Sequence, residues 1–130
     1  MMSDETNLTE EERQALHEIE VGTEWFHRAH GHLVAFHHAV GHGMDHLEAA
    51  RRSLRAAGHD ELASDLRTDL LPRGVVDDRW SYDLLESFQA GLLADVLDYE
   101  ELSRERLADG ERHVAERAQE RAWRDRSRDR

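Results

Sequence analysis

The sequence predicts an all-α protein: an antiparallel helical bundle of two long helices plus shorter N-terminal and connecting helices, completed by dimerisation. Three observations carry that prediction. First, a seven-residue apolar repeat (Ile19, Phe26, Leu33, Val40, Leu47, Leu54) is held without a slip. Such a repeat implies left-handed, coiled-coil-like packing against another helix. Second, no segment shows the period-two alternation of a half-buried strand. Third, Ala29–Met44 (AHGHLVAFHHAVGHGM) contains no Asp, Glu, Lys or Arg in a chain that is 35% charged. A helical segment that is neutral all round is expected to be covered all round.

The elements follow in order. Residues 1–8 are expected to fray. Thr9 with Glu12 three residues on is a capping-box pattern, with Glu10 and Glu11 in the favourable first turn. A helical pattern then runs to Ala57, with Leu16, Thr23, His30, His37, Met44 and Arg51 as the companion to the apolar line, and Gly58 ends it. Unbroken, this helix would be ~73 Å long at 1.5 Å per residue, which is long for a compact domain. A break is therefore expected at Val21-Gly22, with Gly41-His42-Gly43 the next best place, giving helices at about 9–21 and 23–57. His59-Asp60 should cap a short helix over 60–71 that carries Leu62, Leu66 and Leu70 on one side and stops at Pro72. Residues 72–78 read as a loop, with Asp77 or Asp78 capping a helix from Arg79 to Ala108. The core line of that helix is Leu85, Phe88, Leu92, Tyr99 and Leu102. After Gly110 the pattern loosens. The domain is thus residues 1–110, and 111–130 form an Arg-rich helical extension, partly frayed, held by Glu/Arg pairs such as Glu116 with Arg121 and Glu120 with Arg124.

Composition narrows the functional classes. With no cysteine among 130 residues, disulfides, thiolate metal sites and cysteine nucleophiles are excluded. The N-terminus is acidic and has no apolar core, unlike a secretory signal. No apolar run reaches the ~20 residues of a membrane helix, so a cytoplasmic protein without a membrane partner is expected. The 29 acidic residues face 17 basic ones, every one of them Arg, for a net charge of -12. A small domain tolerates that self-repulsion best where salt shortens the Debye length to ~3 Å, near 1 M. Acidity without lysine therefore reads as the signature of an extreme halophile, and nucleic acid is not an expected partner for the acidic body.

The outward side of 23–57 should carry charge, yet it reads Trp25, His32, Ala35, Ala39, His42, His46 and Ala49. A homodimer is expected, with residues 25–46 paired against their symmetry mates, because twofold dimers are the commonest assemblies.

Seven of the ten histidines lie between His27 and His46, and four patterns compete for a site. His38, His42 and His46 share one helix face at i, i+4, i+8, the spacing by which helical histidines chelate a divalent metal such as Zn or Fe, and Asp45 adjoins them. Glu20, Glu24 and His27 share another face. Glu24-x-x-His27 resembles half of the di-iron ligand set of ferritin-like bundles, which a second copy and Glu101, Glu105 or Asp109 would have to complete. This is a likeness of four residues and no family assignment, and the plain alternative is a solvated acidic face. Third, packing Leu47 on Phe88 would put Asp95 on a core line near His37, His30 and Tyr99. An isolated buried carboxylate costs several kcal/mol, so a buried His37–Asp95 contact completed by Tyr99 or His30 is expected. Fourth, Asp45/Glu48, Asp83/Glu86 and Asp95/Asp98 have the spacing of Mg2+ pairs in all-α nucleotide pyrophosphohydrolases, although an acidic composition produces such pairs by chance. No phosphate-binding glycine loop or serine nucleophile setting is present. The sequence marks no catalytic residue and no organic cofactor. It points to a non-catalytic structural or interaction module that homodimerises through its histidine-rich helix. The alternative is a metal-binding bundle, with a His/carboxylate site for Zn or Fe and redox or hydrolytic activity.

Overall fold

Helix formation starts where the cap signal places it. The Thr9 N–H donates to Glu12 Oε1 at 2.8 Å, and the Glu12 N–H donates to Thr9 Oγ1 at 3.0 Å, so two amide groups without intrahelical partners are satisfied reciprocally. The computed structural model describes residues 8–109 and 113–129, of which Val114 and Ala115 as backbone only. Its helices are α1 (Glu10–Ala56), α2 (Asp60–Asp65), α3 (Ser81–Ala90), α4 (Leu92–Ala108) and α5 (Val114–Arg128), with a π-helical turn at Leu66–Leu70. The described residues form no strand, and the protein is all-α. None of these helices is long and apolar enough to cross a membrane.

The expected break at Gly22 does not occur, and neither does one at Gly41 or Gly43: α1 is a single helix of 47 residues. A helical glycine costs only about 1 kcal/mol relative to alanine, and α1 contains no proline to remove a hydrogen bond. Thr23 even bonds back onto the Ile19 carbonyl through Oγ1 at 2.8 Å. The helix stops at Gly58, whose φ of +86° opens the left-handed conformation that L side chains avoid. The fraying expected of residues 1–8 falls, apart from Leu8, outside the described residues, and Leu8 itself is buried.

The structure divides into two units, one comprising residues up to His27 together with those from Leu92 onward, the other Arg28–Gly91. In the second unit the turn at Gly58 sets α2 beside the end of α1, where Arg51 and Arg55 share a cavity wall with Ala63 and Arg67. No side chain caps α2 at His59, contrary to expectation. Ala63 is the residue it buries, while Leu62 and Leu70 remain exposed and Leu66 is half-buried. The π turn, closed by Leu71 N–H on the Leu66 carbonyl, adds a residue per turn and rotates the leucine stripe out of line. Asp77 and Asp78 do not cap α3 either. Both sit at positive φ (51° and 58°) between Val76 and Arg79, which pair across the turn, and Asp78 Oδ1 accepts the Gly74 N–H at 3.0 Å. Asp tolerates this conformation better than most residues, and two consecutive positive φ values make the tight turn.

Gly91 separates α3 from α4, so the single helix expected over 79–108 is two. The Gly91 N–H reaches the Ser87 carbonyl at 2.9 Å, and α4 then restarts one residue out of phase. Leu92, Tyr99 and Leu102, expected inside, are exposed. Leu93, Ser103, Arg104 and Ala108 are buried instead. In the first unit Leu8, Leu16 and Ala108 form the apolar cluster, with Leu107 against it.

The two glycines make opposite predictions. A Cβ at Gly22 meets nothing within 4 Å, so Gly22→Ala is expected to stabilise the protein by about 0.5–1 kcal/mol. A Cβ at Gly91 lands 2.7 Å from the Ser87 carbonyl oxygen, so Gly91→Ala is expected to destabilise it by about 1–3 kcal/mol. Urea unfolding of both variants checks the pair. Destabilisation by Gly22→Ala would place the break where the structure has none.

Candidate functional site

The two seven-residue lines of α1 face inward as their spacing requires: Leu16 and Thr23 are buried, and His30, Leu33, His37, Val40, Met44, Leu47 and Leu54 are half-buried. At 3.6 residues per turn, Gly31, Ala35, His38, His42, His46 and Ala49 lie on the opposite side, and all six are exposed. Phe36 flanks them at 40% exposure, and Trp25, earlier on the helix, is 61% exposed. The result is a solvent-facing strip of small residues and imidazoles from Gly31 to Ala49 that itself bears no charged side chain, with the exposed Asp45 beside it.

His38, His42 and His46 are on one face, yet they do not form one metal site. Four residues of helix rise ~6 Å and eight rise ~12 Å, while Zn–N bonds are ~2.0–2.1 Å. An i, i+4 pair can close on one ion, and the full triplet on a straight helix cannot. Among the described residues no group of three or more His, Asp or Glu side chains is arranged to hold a metal ion. The His38 ring lies 5.7 Å from the His37 ring at 42°. His42 and His46 make no hydrogen bond, ion pair or ring contact among the described residues.

His30 and His37 face α3 and find neutral partners there. His37 Nδ1 is 2.7 Å from Ser81 Oγ. His30 Nε2 is 2.8 Å from Gln89 Nε2, and its ring stacks on Phe88 at 6.3 Å and 24°. The buried His37–Asp95 contact is therefore corrected: Ser81 takes the place expected of Asp95, and Asp95 is exposed. The register fails for an identifiable reason. Phe88 meets His30 and not Leu47, because α2 and the π turn occupy the end of α1, with Glu48, Arg51 and Arg55 beside Arg67, Leu71 and Pro72. In the first unit, Asp95 and the exposed Tyr99 line an open apolar groove of about 300 Å3 with Ile19, Gly22, Thr23, Phe26 and Val96.

A cavity of about 590 Å3 lies in the first unit between α1, α4 and α5. Its polar wall consists of His17, Glu20, Glu24, Glu100, Arg104, His113 and Glu116. Its carboxylates are largely committed. Glu100 accepts from Arg104 at 3.0 Å, Glu116 pairs with His113 Nδ1 at 2.7 Å, and Glu20 accepts the His113 N–H at 3.3 Å. Glu24 reaches this wall but His27 does not, and α4 contributes Glu100 rather than Glu101, Glu105 or Asp109. Within one chain this cavity does not bring Glu24 together with His27, Glu101, Glu105 or Asp109. Sequence reasoning missed Glu100 and Arg104; their i, i+4 spacing is visible, but only the phase slip at Gly91 turns them inward. The extension 111–130 enters here as well. His113 and Gln119 line the cavity, and the expected Glu120–Arg124 pair forms at 2.7 Å. Residues 110–112, which include the expected loosening at Gly110, lie outside the described residues.

In two of the three Mg2+ pairs a carboxylate is already engaged by a partner. Arg51 grips Glu48 with Nε and Nη2 at 2.8 and 2.7 Å, and Arg52 approaches at 3.4 Å. The hydrogen bond from Arg51 holds the Glu48 carboxyl below the usual glutamate range despite partial desolvation, with the Arg51 and Arg52 charges adding to the effect. Asp83 Oδ2 accepts from the Trp80 N–H at 3.4 Å, and Asp95 and Asp98 are exposed.

Two predictions follow from these carboxylates. Arg104 is only 6% exposed and its charge is balanced locally by Glu100, so Glu100→Ala is expected to cost about 3–5 kcal/mol by leaving a buried cation uncompensated. A Glu100→Leu/Arg104→Met double variant should cost less than the single one, and denaturant unfolding compares them. For Glu48, whose folded pKa is lowered, the stabilising contribution is present above the unfolded value and lost as pH falls through the folded one. Carboxyl NMR should place its midpoint below that of a free glutamate in the native chain and closer to it in Arg51→Gln. Against known proteins, the chain matches no family model, no curated protein and no solved structure.

Proposed function

We propose that the protein is a non-catalytic interaction module of a halophile, an antiparallel helical bundle that homodimerises through the outer face of α1. The observation that carries this reading is the exposed, uncharged strip Gly31, Ala35, His38, His42, His46 and Ala49 on a chain of net charge -12. Like charges placed face to face are destabilising, and most of this protein's surface would repel its own copy. The strip is where that objection is absent. Its small residues let a second helix approach closely, and Phe36 and Trp25 beside it offer the aromatic surface that interfaces favour.

Thin internal burial supports the same reading. Among the described residues the buried apolar side chains are Leu8, Leu16, Ala63, Leu93 and Ala108, and no large side chain is completely enclosed. A small chain with so little core gains stability by covering further apolar surface through association.

Light scattering at multimolar salt, with chelator present, is expected to report twice the 15.1 kDa chain mass. The Ala35→Glu/Ala39→Glu variant should run as one chain with unchanged helicity, and lowering the salt should favour dissociation of the native dimer. A native protein that runs as a single chain at every concentration would refute the reading.

A further inference from the structure

Between His27 and His46, four histidines of α1 (His27, His32, His42 and His46) make no hydrogen bond, ion pair or ring contact among the described residues, and of these His42 and His46 are the two spaced one turn apart. His38 is turned against His37, and His30 and His37 are engaged with Gln89 and Ser81. His42 and His46 stand one turn apart on the exposed side of α1, without a partner among the described residues. Residues at i and i+4 have Cβ atoms about 5–6 Å apart, close enough for two imidazole nitrogens to converge on one ion. Such a pair fills half of a tetrahedral coordination sphere. No third His, Asp or Glu of the same chain is arranged to add to it among the described residues.

We propose that His42 and His46 from two copies of this chain together bind one divalent transition-metal ion, of the class that Zn2+ represents, on a twofold axis through the outer face of α1. The site is incomplete in one chain, and symmetry supplies the other half. A twofold contact brings the same patch of both copies together, so a bidentate half-site on that patch becomes a four-nitrogen site with no further residue. Charge selects this occupant as well. The strip itself carries no carboxylate, and the net negative chain around it favours a cation. Asp45, exposed beside the pair, adds to that attraction. The proposal rests on the outer face of α1 being where two copies meet, and it names the ligand that this contact takes.

The test uses the full chain without an affinity tag, at multimolar NaCl in a non-chelating buffer, by sedimentation equilibrium with EDTA or with ZnCl2. Zinc is expected to tighten the dimer by about tenfold or more, with one Zn2+ retained per two chains. His42→Ala should abolish the shift in mass that zinc produces, whereas His38→Ala, which leaves both proposed ligands in place, should preserve that shift. Zinc retained at one per chain without a change in mass, or a zinc effect that survives His42→Ala, would overturn the site. A chain that is monomeric in EDTA and dimeric in zinc would sustain the site while removing the metal-free dimer. A tight dimer in EDTA that zinc leaves unchanged would do the reverse.

Discussion

The continuity of α1 is the constraint on which the other contacts depend. Its 47 residues hold two lines of side chains seven apart, and a seven-residue repeat keeps one face directed at its neighbours over its whole length. Within Arg28–Gly91, α2 uses up the end of that face, so α3 must meet it at His30 and His37. Within the other unit, Leu16, Thr23 and their neighbours are left to α4 and to the turn that begins α5. Within Arg28–Gly91 the inner line of α1 is half-buried and the outer side from Gly31 to Ala49 is exposed, while in the other unit the groove at Ile19, Gly22, Thr23 and Phe26 stays open.

What the sequence made legible was local. The cap at Thr9, the stop at Gly58 and the inward lines of α1 all depend on residues within a few positions of each other, and each was found as expected. What was not legible turned on how one glycine is used. Gly22 and Gly91 are the same residue in similarly apolar surroundings, and the intrinsic cost of ~1 kcal/mol does not tell a tolerated glycine from a helix end. The difference is tertiary. At Gly91 a slip of one residue exchanges Leu92 and Leu102 for Leu93 and Ser103 as the inward positions, and nothing comparable is gained at Gly22. The same slip exposed Asp95 and drew Glu100 inward, so the expected carboxylate site dissolved and another acid–base pair took shape.

The interior that results is unusually polar. Thr23, Ser81, Ser103 and Arg104 are buried beside only five buried apolar residues among those described. Each polar group is matched: Thr23 and Ser103 bond the carbonyls one turn earlier, Ser81 takes His37, and Arg104 takes Glu100. A buried ion pair of this kind adds little net stability over an apolar pair of the same shape, but breaking it is expensive. Both partners lie on α4 at i and i+4, so the pair travels with the helix and locks its own side chains rather than the packing of α4 on its neighbours.

A protein that buries so little apolar area has its uncommitted apolar and neutral surface on the outside. On α1 that surface coincides with the interval that lacks charge, and the coincidence has a physical sense. Elsewhere on the chain, carboxylates oppose association of identical copies at any salt concentration that leaves them unscreened. In the proposed dimer, the absence of charge from one strip of one helix face would favour contact through that strip. Histidine suits such a strip, because a neutral imidazole keeps it free of charge and still offers a nitrogen to a metal ion. An alanine or leucine face could associate but bind nothing, and a carboxylate face could bind a cation but would first have to overcome its own repulsion.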